Sequence, residues 1–303
     1  MSGRVRTVLA ATARGAGCTV VAVALAAVLW RERSALGDQM RALGPGYVLL
    51  AGALVVAGLV PGMLGWRALL EGMGARLELR DAIRLYFVGG LAKYIPGGLW
   101  PALAHAGLAQ SVRQPPARLA GGFLGSVVLS TAAGAAVGVL AVPVLAGPQP
   151  LWWLLAPVAL ALPAVVVWAA PVLGARRQAA VDRRTALYAT ALMGAGWVLA
   201  GLHVSVLATA LGADPGRALA VGVGGFALSA VCGMLAFVLP AGLGARDVVL
   251  GLTLAAVLSG PAVVAAVALS RVLVTLGDVS TGLAAMAVHR AGARKARLDA
   301  GTN

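Results

Sequence analysis

Five charged side chains lie within or directly beside long apolar segments of this 303-residue chain: Lys93, Arg246, Asp247, Arg271 and Asp278. A charge inside a bilayer costs about 2.5–3.5 kcal/mol on insertion scales, so each needs a partner or a function. Lysine and arginine are the side chains that proteins use to hold phosphate and carboxylate groups. The three cations therefore indicate binding of an anionic group at membrane depth.

Two Pro-Gly breaks interrupt the apolar sequence beside these charges, one in each half of the chain. The first covers residues 93–101 and the second residues 239–247, and both read aliphatic-Pro-small-Gly-Leu. Non-helical backbone at membrane depth leaves N–H and C=O groups unpaired, so it survives only inside protein or along a wet cavity. Breaks at corresponding places in two halves are typical of a transporter's binding site.

The charges have alternative roles. Lys93 is either a cation beside unwound backbone or a lysine whose ammonium extends to the membrane surface. Arg271 lies about nine residues into the last apolar segment, roughly 14 Å deep and close to the bilayer centre. Asp278 lies on the same helical face but two turns away. We therefore expect Arg271 and Asp278 each to reach a break, as part of a binding site or as buried structural ion pairs.

At the second break, we expect Asp247 to be the N-cap of a short helix that starts at Val248. Arg246 is the better ligand, because a guanidinium fork matches phosphate oxygens in pairs. Near the first break, His105 is a weaker candidate. Its default role, like that of His203, is a packed or hydrogen-bonded structural one.

Composition indicates a polytopic membrane protein. The chain is 60% hydrophobic and 11% charged, with a mean hydropathy of +0.92, whereas soluble domains carry about 25% charge. The net charge is +14, but the arginines lie mostly between apolar segments, as membrane topology requires. This distribution excludes a nucleic-acid partner. The sequence shows no cysteine–histidine cluster for a metal and no carboxylate pair at catalytic spacing.

The predicted fold is all-α: a polytopic helical bundle of about 7–8 spans with two re-entrant or broken helices at the Pro-Gly motifs. Residues 1–288 form a single transmembrane domain, and residues 289–303 form a basic cytoplasmic tail. The stretch 82–109 is predicted to be broken, and 248–258 to be a half-helix. Positive charge in the loop 173–184 and in the tail predicts that both termini are cytoplasmic. The predicted spans are 15–30, 46–66, 119–145, 151–170, 186–211, 218–239 and 262–288.

Three stretches, residues 92–100, 239–247 and 270–278, resemble the lysylphosphatidylglycerol synthase transmembrane-region family. This family is the membrane domain of bacterial multiple peptide resistance factors. The resemblance implies re-entrant elements, a bacterial cytoplasmic membrane location and movement of lipid between leaflets. The chain is similar to stand-alone members without the synthase domain, so aminoacyl transfer is not implied. Ala241 stands where the family usually has Gly, and Asp247 where it usually has Glu.

The leading hypothesis is a lipid flippase or transporter that moves an anionic phospholipid or a polyprenyl-phosphate sugar, without enzymatic activity, cofactor or metal. The residues expected to contact the lipid headgroup belong to the breaks, the embedded charges and one histidine. They are Lys93, Tyr94, Pro96, Gly97, Gly98, Trp100, His105, Pro240, Gly242, Gly244, Arg246, Asp247, Arg271 and Asp278.

Three other classes of function stay open. The chain could be a non-transporting scaffold that docks an envelope lipid-modifying enzyme or glycosyltransferase through its basic tail, or a homo-oligomer in either role. It could be a membrane enzyme acting on lipid phosphates, although it lacks a convincing acid–base pair. It could also transport a small solute, although its few membrane-embedded carboxylates argue against proton coupling.

Overall fold

The computed structural model describes residues 43–95, 99–145, 150–175, 181–236 and 240–300. Within these residues the protein is all-α and contains no strand. Five helical segments of the described residues are long and apolar enough to cross a membrane. The chain is therefore a multi-pass membrane protein, as its composition predicts. The first predicted span, residues 15–30, lies outside the described residues.

The described residues form ten α-helices. They are α1 (Pro45–Gly72), α2 (Leu79–Gly90), α3 (Trp100–Leu108), α4 (Pro116–Gly138), α5 (Val142–Leu145), α6 (Pro150–Ala175), α7 (Arg183–Ala210), α8 (Pro215–Leu235), α9 (Ala245–Leu254) and α10 (Gly260–Ala300). Four 3-10 turns occur at Leu91–Tyr94, Ala109–Val112, Val139–Ala141 and Pro240–Gly242.

Local sequence explains where several long helices begin. Helices α1, α4 and α8 start with a proline, whose fixed φ suits the first helical position and whose missing N–H is not needed there. Asp182 and Asp214 cap α7 and α8 by accepting a backbone N–H three residues later. The hydroxyl and the backbone N–H of Thr185 also hold the pKa of Asp182 below its usual value.

The interior forms where helices α1 and α7 lie side by side, with α8 packed against α7 and α4. A Cβ at Gly58 would lie 2.7 Å from the backbone nitrogen of Ala200, and one at Gly196 would lie 2.9 Å from the Gly58 carbonyl. Small residues let membrane helices approach this closely. The close contact joins α1 and α7 into one wall, which we call the α1–α7 wall.

The helices beside the breaks are short. Helix α2 is about 18 Å long, α3 about 14 Å and α9 about 15 Å, at 1.5 Å per residue, whereas the hydrocarbon core is about 30 Å thick. The predicted broken stretch 82–109 is confirmed as α2, a 3-10 turn and α3. The predicted half-helix is also found, but it covers Ala245–Leu254 instead of 248–258.

Several predicted helix ends differ from the structure, and two of them lie at the second break and in the tail. Helix α8 ends at Leu235, four residues before the predicted end of that span, because the chain already leaves the helical conformation at Ala236. Helix α10 does not stop near Val288 but continues through most of the predicted tail to Ala300. No proline or glycine pair interrupts it there.

Candidate functional site

The two breaks meet in space. The 3-10 turn Leu91–Tyr94 of the first break contacts the 3-10 turn Pro240–Gly242 of the second. Helix α10 runs beside the first turn and packs against α9, which follows the second turn. The described residues of the two breaks therefore belong to one site, and α10 reaches both.

An ion pair and a hydrogen bond to Asp278 join the first break to α10, and we call these contacts the first tie. The Lys93 ammonium lies 2.7 Å from Oδ2 of Asp278, and the Tyr94 hydroxyl donates a hydrogen bond of 2.7 Å to the same oxygen. The Asp278 side chain is only 8% exposed, whereas that of Lys93 is 40% exposed. The tie therefore combines a buried carboxylate with a lysine that keeps partial access to its surroundings.

Hydrogen bonds from Arg271 join the second break to α10, and we call these contacts the second tie. The Nε and Nη2 of Arg271 donate to the two carboxylate oxygens of Asp247 at 3.0 and 2.5 Å, and its Nη1 donates to the Ala241 carbonyl at 3.3 Å. Both side chains are largely buried, 20% exposed for Arg271 and 10% for Asp247. This is the paired fork geometry that makes arginine a strong partner for carboxylates.

Asp247 does not occupy the predicted N-cap position. Gly244, with φ of +83°, is the N-cap of α9, and Asp247 is the third residue of the helix. Its Oδ2 still accepts the Gly244 backbone N–H at 3.0 Å. The prediction of a capping carboxylate is confirmed, but its position is wrong by three residues, because the positive φ of Gly244 lets the helix start before Val248.

The spacing on α10 explains how one helix serves both breaks. Arg271 and Asp278 are two turns apart, about 10.5 Å along the axis. The expectation that each reaches a break instead of the other is confirmed.

The backbone of the second break is strained at one position. Ala241 has φ of +48° and ψ of +28°, a left-handed conformation in which an L-residue with a Cβ costs about 1–2 kcal/mol. Gly242 follows with φ of +66°, and a Cβ there would lie 2.7 Å from the Gly233 Cα of α8. The turn therefore packs directly on α8, and the Arg271 bond to the Ala241 carbonyl helps to hold it.

A cavity of about 280 Å³ is lined by Lys93 and Asp278, by Arg246 of the second break and by the α1–α7 wall. Its charged lining residues are Lys93, Arg246 and Asp278, and aromatic rings of α2, α4, α7 and α8 also line it. Small-molecule sites usually span about 300–1,000 Å³, so this cavity lies just below that range and has room only for a small ligand or group.

Arg246 is the cation that takes part in neither tie. Its guanidinium carbon lies 4.6 Å from the centre of the Phe226 ring, and its Nη2 is buried without a hydrogen-bond partner among the described residues. Lys93 and Arg271, in contrast, already hold carboxylates. Of the three predicted ligand cations, Arg246 is therefore the one that lines the cavity without holding a carboxylate.

The other predicted site residues are placed less centrally. His105 is fully buried on α3, where its Nδ1–H donates to the Pro101 carbonyl at 2.7 Å and its ring stacks on Phe123. Trp100 is the first residue of α3 and is 45% exposed. Pro240 opens the second 3-10 turn. Pro96, Gly97 and Gly98 lie outside the described residues.

Sequence reasoning missed the aromatic support of the cavity. The Phe226 ring lies between Arg246 and the edge of His203, 4.8 Å from the histidine ring. His203 accepts a hydrogen bond of 2.8 Å from Ser270, the residue before Arg271. The structural role expected for His203 is therefore confirmed, and the sequence contains no charge or motif that marks Phe226.

The arrangement can bind and orient an anion between aromatic walls. Within the described ranges, no group of three or more histidine, cysteine or acidic side chains could hold a metal ion. No family model matches the sequence, and no curated protein sequence matches it.

Proposed function

We propose that this protein is a lipid flippase or lipid transporter that moves an anionic phospholipid or a polyprenyl-phosphate sugar between leaflets. One observation carries the proposal: two breaks from opposite halves of the chain meet at a charged cavity inside a bundle of membrane helices. Charge and irregular backbone are costly at membrane depth, so their concentration at one place favours a substrate pathway.

The cavity also fits the chemistry of a headgroup better than that of a whole lipid. Its cations and carboxylate are placed for a polar group, whereas its volume of about 280 Å³ excludes long acyl chains. The headgroup would cross through the cavity while the chains stay in lipid. The resemblance of the breaks to the lysylphosphatidylglycerol synthase transmembrane-region family points to the same function.

The proposed architecture includes re-entrant helices at the cavity. Helices α2, α3 and α9 are each too short to span the bilayer alone, which favours re-entrant elements from the two sides of the cavity. The proposed bundle has 7–8 spans, as the sequence predicts. We place it in the bacterial cytoplasmic membrane with both termini in the cytoplasm, because the sequence of residues 173–184 and of the tail is basic.

Adjacent valines on α4 provide a direct test. Val127 lines the cavity, whereas Val128 is 52% exposed on the outer surface of the bundle. Purified protein would be placed in liposomes that contain a fluorescent phosphatidylglycerol or a fluorescent polyprenyl-phosphate sugar. Movement between leaflets is then measured by adding a quencher that cannot cross the membrane.

We expect wild-type protein and Val128→Trp to move lipid at similar rates, and Val127→Trp to move it at nearly the rate of protein-free liposomes. The indole of Val127→Trp would fill the cavity, whereas that of Val128→Trp would face lipid. Wild-type protein that moves neither lipid above the protein-free rate would contradict the proposed function.

One observation favours the second candidate, a membrane scaffold. Helix α10 continues about 18 Å beyond Val288 as a basic helix, which could dock an acidic envelope enzyme. Removal of residues 289–303 separates the two functions. A transporter keeps its lipid movement after this truncation, whereas a scaffold loses its association with the enzyme and shows no lipid movement in either form.

A further inference from the structure

We infer that the cavity binds a group with one negative charge, a phosphodiester, and that Arg246 is the residue that holds it. The inference rests on the proposed function and narrows its substrate class. A phosphodiester occurs both in glycerophospholipids and in polyprenyl-phosphate sugars, so the shared chemistry is the headgroup phosphate.

The charged side chains of the site do not balance. Among the described residues, five ionisable side chains with full charges line the cavity or tie its breaks: Lys93, Arg246, Asp247, Arg271 and Asp278. Lys93 neutralises Asp278, and Arg271 neutralises Asp247. Three cations and two carboxylates leave a net charge of +1, and the residue left over is Arg246.

The surroundings of Arg246 support the same inference. Its buried Nη2 has no hydrogen-bond partner among the described residues, although a cation in such a place is costly unless it is paired. Stacking on Phe226 offsets part of this cost. A phosphate oxygen in the cavity would provide the missing acceptor, and a guanidinium can hold two such oxygens at once.

The same balance disfavours a group with two or more negative charges. A phosphomonoester or a diphosphate would leave negative charge uncompensated in the cavity, unless Lys93 were released from Asp278. That release would leave the largely buried Asp278 carboxylate without its cation. The ties therefore set the charge that the cavity accepts, and Arg246 supplies the contact.

The experiment compares matched soluble probes on the full chain in detergent micelles. Each pair shares its hydrocarbon part: dihexanoylphosphatidylglycerol with dihexanoylphosphatidic acid, and geranyl-phosphoryl-mannose with geranyl phosphate. At a pH of about 7.5, above the second phosphate pKa of about 6, the monoesters are mostly dianions. The readout is the shift of the thermal unfolding midpoint with probe concentration, which gives a Kd.

We expect each phosphodiester to bind more tightly than its monoester, and the tighter of the two phosphodiesters to identify the lipid source. Arg246→Gln should weaken phosphodiester binding roughly tenfold or more. Without probe, the same variant should unfold at or above the wild-type midpoint, because it removes an unpaired buried charge. An arginine that served only the fold would lower this midpoint. Arg184→Gln, which removes a charge at an exposed position outside the cavity, should bind like wild type.

Asp278→Asn is a second variant that changes the charge balance in the opposite direction. It raises the net charge of the site to +2 and should shift the preference toward the monoester of each pair. The inference is overturned if monoesters bind wild-type protein as tightly as phosphodiesters, if no probe shifts its midpoint, or if Arg246→Gln binds like wild type. These binding results do not depend on transport, so loss of lipid movement alone would overturn the proposed function and not the charge preference.

Discussion

The two breaks are held by different ion pairs. At the first break Lys93, whose side chain is 40% exposed, pairs with Asp278; at the second break Arg271, whose side chain is 20% exposed, pairs with Asp247. The lysine offers one flexible ammonium. The arginine offers a planar fork that binds both carboxylate oxygens and a backbone carbonyl. Both ion pairs include a residue of α10. The two breaks therefore differ in the side chains that form the ion pair and not in the helix that they contact.

This difference assigns different mechanical roles to the two halves. The second break is held by three hydrogen bonds from one rigid group and packs through Gly242 on α8. The first break depends on one ammonium and one tyrosine hydroxyl, both on a single oxygen of Asp278. We therefore expect the second break to be the more firmly held side of the cavity and the first break to be held by the weaker tie.

The largest effect is expected for Arg271→Met, which keeps an aliphatic side chain but removes the fork. It leaves the buried Asp247 carboxylate without a cation, and removal of one partner of a buried pair costs about 3–5 kcal/mol in free energy of unfolding. Chemical denaturation in mixed micelles would measure the loss. The double variant Arg271→Met/Asp247→Asn should lose less than the sum of the single variants, and strict additivity would contradict the tie.

A smaller effect is expected for Lys93→Met at the first break. Asp278 keeps the Tyr94 hydrogen bond, so the loss should be about 1.5–3 kcal/mol, typical of one hydrogen bond to a charged group. The same denaturation experiment compares it with Arg271→Met. A loss equal to or larger than that of Arg271→Met would contradict the assignment of the first break as the weaker tie.

The smallest effect is a gain for Ala241→Gly. Glycine adopts the left-handed backbone of this position without the Cβ penalty, so we expect the variant to be more stable by about 1 kcal/mol. The thermal unfolding midpoint measures the gain. As a control, Ala284→Gly in the interior of α10 should lose up to about 1 kcal/mol, because glycine is a poor helix former. A loss in both variants would show that Ala241 is not strained.

The sequence predicts the ties better than it predicts the cavity. A charge in an apolar helix is rare, so Arg271 and Asp278 could be identified, and their seven-residue spacing gives one helical face with two separate destinations. The pairing of Asp278 with Lys93 needs the contact between the two halves, which no local pattern encodes.

The aromatic wall could not be predicted for a physical reason. Phe226 and Trp197 lie in apolar membrane helices, where lipid-facing and interior residues are equally hydrophobic, so periodicity does not mark the inner face. The start of α9 was missed for a different reason. The positive φ of Gly244 places the first helical turn on Ala245, Arg246 and Asp247, before the apolar residues that indicate a helix.

The most direct test of a headgroup pathway is the ratio of lipid movement in Val127→Trp to that in Val128→Trp, measured in liposomes at equal protein density. We expect the Val128→Trp protein to keep the wild-type rate and the Val127→Trp protein to fall nearly to the rate of protein-free liposomes. Equal rates in the two variants, with both proteins folded, would contradict a headgroup pathway through this cavity.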